Sequence, residues 1–162
     1  MDSFMSEDKY ERLKKENIRT RKKSWSDKTI EVSQSYQRAM KSPLFFDKFY
    51  SNLFFLKPEI EKYFINTKWE HQKIALEKGI QHLLGFLGKD PGKIHHKNIL
   101  RLSESHSKKN LNIHPHNYYY WIDAMIMTLE EFDPKWHKSL EYYHRECVFF
   151  PISFMISRYY FE

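Results

Sequence analysis

Apolar residues in this chain recur at intervals of three and four, and nowhere does a strict apolar–polar alternation persist. Val32, Tyr36, Ala39 and Met40 share one helical face, and Tyr118, Trp121, Ile122, Met125, Leu129 and Phe132 share another. A period near 3.6 marks helices buried along one stripe, whereas half-buried strands need a period of two. Only 4 of the 162 residues are glycine, which also disfavours a turn-rich β protein. The chain reads as all-α and is long enough for one domain with a real core. Aromatic residues make up 17% of it, enough to fill a dense core or to line a pocket for a flat ligand.

Prolines and capping residues divide the helices. Ser26-Asp27 starts a helix that runs to about Lys41, and Ser42-Pro43 starts a second that reaches about Leu56. Lys57-Pro58 opens a short third, ending near Phe64. Thr67-x-x-Glu70 has the form of a capping box, opening a helix striped by Gln72, Leu76, Gly79, Ile80, Leu83 and Leu87. Gln72 is the polar member of that stripe, and Gly79 permits a close backbone approach. After a turn at 88–92, with His95-His96 still in it, a helix spans about Lys97–Lys109. Pro115 and Pro134 start the last two. The final helix turns Leu140, His144, Cys147, Val148, Ile152, Met155 and Tyr159 inward, and Pro151 should kink it. Residues 1–25 read as a charged N-terminal extension and 26–162 as the folded domain.

The formal net charge is +6. Residues 1–23 hold eight Lys/Arg against five Asp/Glu, so half of the excess lies there. Cations and acids are interspersed and no nucleic-acid motif appears, so a solvated face is expected and not a nucleic-acid partner. No apolar run is long enough for a membrane span, and the polar N-terminus lacks the apolar stretch of a signal peptide. With a single cysteine, Cys147, these features lead to the expectation of a cytoplasmic protein.

The stretch Ile99–His106 carries the sharpest chemistry. Ile99, Leu102, Ser103 and His106 fall at i, i+3, i+4 and i+7, which sets one imidazole on an apolar helix face with Ser105 beside it. Such a histidine suits either a hydrogen-bonded core position or a ligand for a metal held in something flat and apolar.

FYSNLFFLKPEIEKYF (49–64), Gln72-Lys-Ile-Ala-Leu76, Leu102-x-x-x-His106, the IxPxxY element Ile113–Tyr118 and the terminal ISFMISRYY stand in one order. Tyr50 lies 14 residues before Phe64, Gln72 8 after it and His106 42 after it. Together these segments, over roughly residues 30–160, resemble the single-domain globins of bacteria. The resemblance implies seven to eight helices around a pocket for haem b, iron protoporphyrin IX. It makes His106 the iron ligand, Leu102 the residue beneath the porphyrin, and Phe64 the ring stacked on it. Tyr50 and Gln72 become the distal pair above the bound gas, with Leu76 beside them. Ser105 or a backbone carbonyl near Leu102 would hold the second imidazole nitrogen. Tyr50 could otherwise be an ordinary core tyrosine, and a one-residue rotation would exchange Gln72 for His71.

Two features depart from the family pattern. The connector from His106 to Ile113 is about two residues longer than in many relatives. Tyr118 fits the proximal tyrosine place of flavohaemoglobin-type globins, but the matching turn of the last helix carries Ser157, Arg158 and Tyr159 in place of a glutamate. Of the other histidines, His82 could approach a haem edge, His114-x-His116 could take a stray metal ion, and His144 stands where many relatives have tryptophan. Reversible binding of dioxygen or another diatomic gas is the expected function, as a monomer or homodimer. The alternatives are nitric oxide dioxygenation, which requires a separate reductase, and gas sensing through a partner protein.

Overall fold

A computed structural model describes residues 23–88 and 93–160, together with Asp8, Glu11, Arg12, Lys14 and Lys15. The expected extension at 1–25 and the turn at 88–92 lie largely outside the described residues. The five described residues before Lys23 are helical, and from Trp25 onward the elements follow in order: α1 (Trp25–Ala39), α2 (Phe45–Leu56), a 3-10 helix (Pro58–Phe64), α3 (Trp69–Gly85), α4 (Ile94–His106), α5 (Asn117–Phe132) and α6 (Lys138–Ser157). No strand occurs among the described residues. None of their helices is long and apolar enough to cross a membrane.

Helix existence follows the apolar stripes, whereas helix ends follow local amide accounting. α1 is capped by Ser24 and not Ser26: Ser24 Oγ accepts from Asp27 N at 3.1 Å, and the Asp27 carboxylate accepts from Ser24 N at 3.3 Å. That reciprocal pair satisfies two otherwise orphaned donors. Pro43 sits in a turn before α2, where Ser42 O accepts from Phe45 N and so closes a turn rather than a helix. The Thr67 box does not form, because Thr67 N is already committed to Phe64 O and α3 begins at Trp69 after Lys68. α4 starts at Ile94 behind Lys93 in left-handed backbone (φ 50°), which brings His95 and His96 into the helix and out of the expected turn. Likewise α5 and α6 begin after turns containing Pro115 and Pro134. Pro151 lies inside α6 and is buried.

α2 packs on α5, and α1 on α6 and α5, around a core that includes Tyr36, Phe45, Phe49, Met125, Leu129 and Leu140. α3 and α4 pack on each other and on α6 around Leu83, Phe86, Ile99, Ile152 and Met155. Trp121 and Trp136 touch both clusters. Polar groups inside the first cluster find partners far along the chain. Asn52 Nδ2 donates to Thr128 Oγ1 at 3.0 Å, and the buried Asp133 carboxylate accepts from Arg38 Nε at 2.6 Å, Arg38 Nη2 at 2.8 Å and Ser35 Oγ at 2.5 Å. Buried carboxylates persist only when paired in this way.

Candidate functional site

Between the two clusters lies a cavity of about 240 Å³, with a second of about 190 Å³ sharing part of its wall. Leu53, Phe64, Gln72, His106, Tyr118 and Trp121 line both. Six elements thus converge on one space: α2 with Tyr50, the 3-10 helix with Phe64, α3 with Gln72, Leu76 and Gly79, α4 with Leu102 and His106, α5 with Tyr118 and Trp121, and α6 with Ile152 and Met155.

On the α4 wall, His106 Nδ1 stands 2.8 Å from Leu102 O, one turn back, and 3.0 Å from Ser105 Oγ. Ser105 Oγ itself donates to Leu102 O at 2.9 Å. A carbonyl oxygen only accepts, so Nδ1 carries the ring proton and Nε2, across the ring, keeps its lone pair. Burial also pushes the His106 pKa down, against the opposing effect of the Leu102 bond, which favours the neutral imidazole that a metal requires. Both partners considered for the second ring nitrogen, Ser105 and a carbonyl near Leu102, are therefore in contact with it. Tyr118 lies face to face with the imidazole, ring centroids 6.4 Å apart.

Above it, Gln72 Nε2 donates to Tyr50 Oη at 2.9 Å. The phenol accepts there and retains its own proton for another acceptor. Burial raises the Tyr50 pKa to about 12 although the Gln72 bond works the other way, so the hydroxyl stays protonated at every physiological pH. Packing fixes the ring, with Phe49 at 5.0 Å, Phe64 at 5.4 Å and Trp69 at 5.0 Å, all edge-on. The phase of α3 is settled as well: His71 is exposed while Gln72 turns inward. Phe64 lines the cavity and stacks on Trp69 at 5.8 Å with 8° between planes. Trp69 had no place in the sequence-based site, although its position three residues before Gln72 puts it on the same side of α3.

Gly79 does not serve close helix packing. A Cβ built there meets nothing within 4 Å, and the residue lines the cavity, so the missing side chain leaves room for a ligand. An apolar slot with this gap, a lone-pair nitrogen on one wall and a phenol–amide pair on another fits a planar group bearing one metal. His82 is not part of the lining; its Nδ1 lies 3.0 Å from His95 Nδ1.

The long connector after His106 folds back on the helix end. Leu111 N donates to Ser105 O at 3.0 Å and Ile113 N to His106 O at 3.0 Å. Asn112 takes left-handed backbone (φ 53°), its carbonyl accepting from Tyr63 Oη at 3.1 Å and its side-chain oxygen from Tyr159 Oη at 2.6 Å. This turn pins the connector to both the 3-10 helix, through Tyr63, and the residues just past α6, through Tyr159.

No family model matches the sequence, and no curated protein does. A crystal structure from Pseudomonas aeruginosa, described as structurally highly homologous to a human haemoglobin, superposes with a TM-score of 0.74 at 30% identity. The match covers 82% of this chain and 98% of the other. Identity at that level over nearly the whole of the relative, on the same all-helical arrangement, places the chain in the haemoglobin-like family of bacterial globins.

Proposed function

We propose that the chain holds haem b through His106 Nε2 and binds dioxygen or another diatomic gas reversibly beside Tyr50 and Gln72. What supports this reading is one juxtaposition: a neutral imidazole with a free lone pair and a hydrogen-bonded phenol–amide pair, on three different helices, line the same apolar cavity. The haem would be held by His106, Leu102 and Phe64 and would supply the iron that takes up the gas. Leu102 O and Ser105 hold the imidazole plane and keep its proton on Nδ1. Gln72 orients the phenol by donating to it, which leaves the Tyr50 O–H as the hydrogen-bond donor that would face a bound gas. Leu76 and Trp121 keep the space dry, which strengthens such a bond.

A hydrogen bond to a charged acceptor is worth about 1.5–3 kcal/mol. Tyr50→Phe is therefore expected to speed dioxygen release from the ferrous protein by roughly ten- to a hundredfold, read by stopped-flow displacement with carbon monoxide. An unchanged rate would take Tyr50 out of the pocket.

Gly79 offers a test that depends on space alone. Gly79→Ala should leave haem uptake intact and stabilise α3 by up to about 1 kcal/mol, because the added methyl meets open room. Gly79→Phe should fill the slot, and absorbance titration should then show uptake sharply reduced. Equal uptake by both variants would mean that the group lies elsewhere.

A further inference from the structure

We propose that the cleft between the 3-10 helix and the connector after His106 binds a phosphate-type anion, either inorganic phosphate or a phosphate ester. The cleft holds about 320 Å³ and lies beside the cavities already described. It shares Ile60, Tyr63 and Asn117 with the smaller of them, but neither His106 nor Tyr50 lines it.

Charge in the cleft is predominantly positive. Lys57 and Lys62 bring two cations from the 3-10 helix side, against the one carboxylate of Glu59, which Lys57 Nζ meets at 3.4 Å. Aromatic faces hold both ammonium groups. Lys57 Nζ stands 5.6 Å from the centre of the Tyr120 ring, and Lys62 Nζ 5.1 Å from that of Tyr63. His114 and His116 supply the connector side, their ring centroids 4.2 Å apart. Partial desolvation, then His114 and Lys57, lower the His116 pKa against the opposing effect of Glu59. An anion placed in that field relieves the repulsion.

Hydrogen bonding in the cleft is a second, independent observation. Both oxygens of Asn112 are engaged, the carbonyl accepting from Tyr63 Oη at 3.1 Å and Oδ1 from Tyr159 Oη at 2.6 Å. The Tyr159 bond fixes which end of the Asn112 amide is nitrogen, so Nδ2 is a donor on the lining. His114 Nδ1 accepts from His116 N at 3.4 Å, which puts the proton of the neutral ring on Nε2. The lining therefore has its acceptors engaged and its N–H donors in excess. No arginine lines the cleft among the described residues, so the planar fork that matches a carboxylate is missing. Compact lysine charges with amide and imidazole donors around them suit a tetrahedral group of several oxygens.

The test is calorimetric titration of the full chain with pyrophosphate at pH 7 and constant ionic strength. The expected dissociation constant is about 1 mM or below, and Lys62→Gln and His114→Gln should each weaken it at least about fivefold. Both residues are exposed, so neither change disturbs the core. Lys138→Gln, an exposed lysine at the opposite end of α6 from Tyr159, should bind as the parent does. A sugar phosphate titrated beside inorganic phosphate tells an ester from the simple anion, and tighter binding of either one at Lys62 and His114 supports the site. No heat of binding up to ~10 mM pyrophosphate overturns the proposal. So does an equal loss in Lys138→Gln and Lys62→Gln, which would mean attraction to a basic surface at large, and so does parent-like binding by both cleft variants. The Soret band of the same samples reports haem separately, so failure of the haem assignment and failure of this one are distinguishable.

Discussion

His106→Ala is expected to strip the protein of its haem spectrum while leaving its helicity in place. The imidazole supplies the one metal-binding lone pair that the cavity's described walls present with its tautomer already fixed. Changes to the groups that merely orient a metal ligand cost about 10–100-fold in affinity, and removing the ligand itself should exceed that. The fold should survive, because His106 stands at the last turn of α4 while Ile99 and Ser103 do the packing. Added imidazole at millimolar concentration should enter the vacated space and restore a five- or six-coordinate spectrum, which separates loss of a ligand from loss of structure. Ser105→Ala should do far less, since Leu102 O still holds Nδ1 at 2.8 Å. An unaltered Soret band and gas response in His106→Ala would end the assignment.

Some parts of this molecule were legible in the sequence because they depend on short-range periodicity, and others were hidden because they do not. The stripes through Val32–Ala39, Leu76–Leu83 and Tyr118–Leu129 announce helices whatever packs against them. Their exact ends escaped, since a cap forms only if the neighbouring turn has not already used its amide, as Phe64 O uses Thr67 N. His106, Tyr50 and Gln72 were readable through family-like separations, and the structure brings all three to one cavity. The part Gly79 plays in lining it was not, because that residue works by what it lacks, nor was Trp69, which acts only by packing against Tyr50 and Phe64. Nothing in the local sequence around Asp133 indicates that it pairs with Arg38 and Ser35 across more than ninety residues. A buried acid announces that it needs a partner but not which one. Asn112, His82 and His95 share that property, because each acquires its role only when distant segments meet.

The pH dependence of stability should expose one such long-range pair. His144 is fully buried between α6 and α1, where its Nε2 meets the Tyr36 hydroxyl and its Nδ1 has no partner among the described residues. Burial, with a smaller contribution from the Arg145 guanidinium, pushes its pKa down to about 3. In the unfolded chain the same imidazole titrates near ~6.5, so the unfolded state binds the extra proton first and stability falls as pH drops from about 6.5 towards 3. At about 1.4 kcal/mol per unit, the full loss is on the order of 4–5 kcal/mol, a large share of a domain's stability. Asp133, held at about 2 mainly by Arg38 and Ser35 against its own burial, adds to the loss only below about pH 4. His144→Gln separates the two contributions. Its amide oxygen can still accept from Tyr36, so stability at pH 7.5 should change by only about 1 kcal/mol. Urea midpoints measured between pH 7.5 and 4.5 should then lose most of their slope, leaving the Asp133 limb below pH 4 intact. If the variant and the parent lose stability in parallel over that interval, His144 is not buried as a neutral base, and the core between α1 and α6 is packed differently.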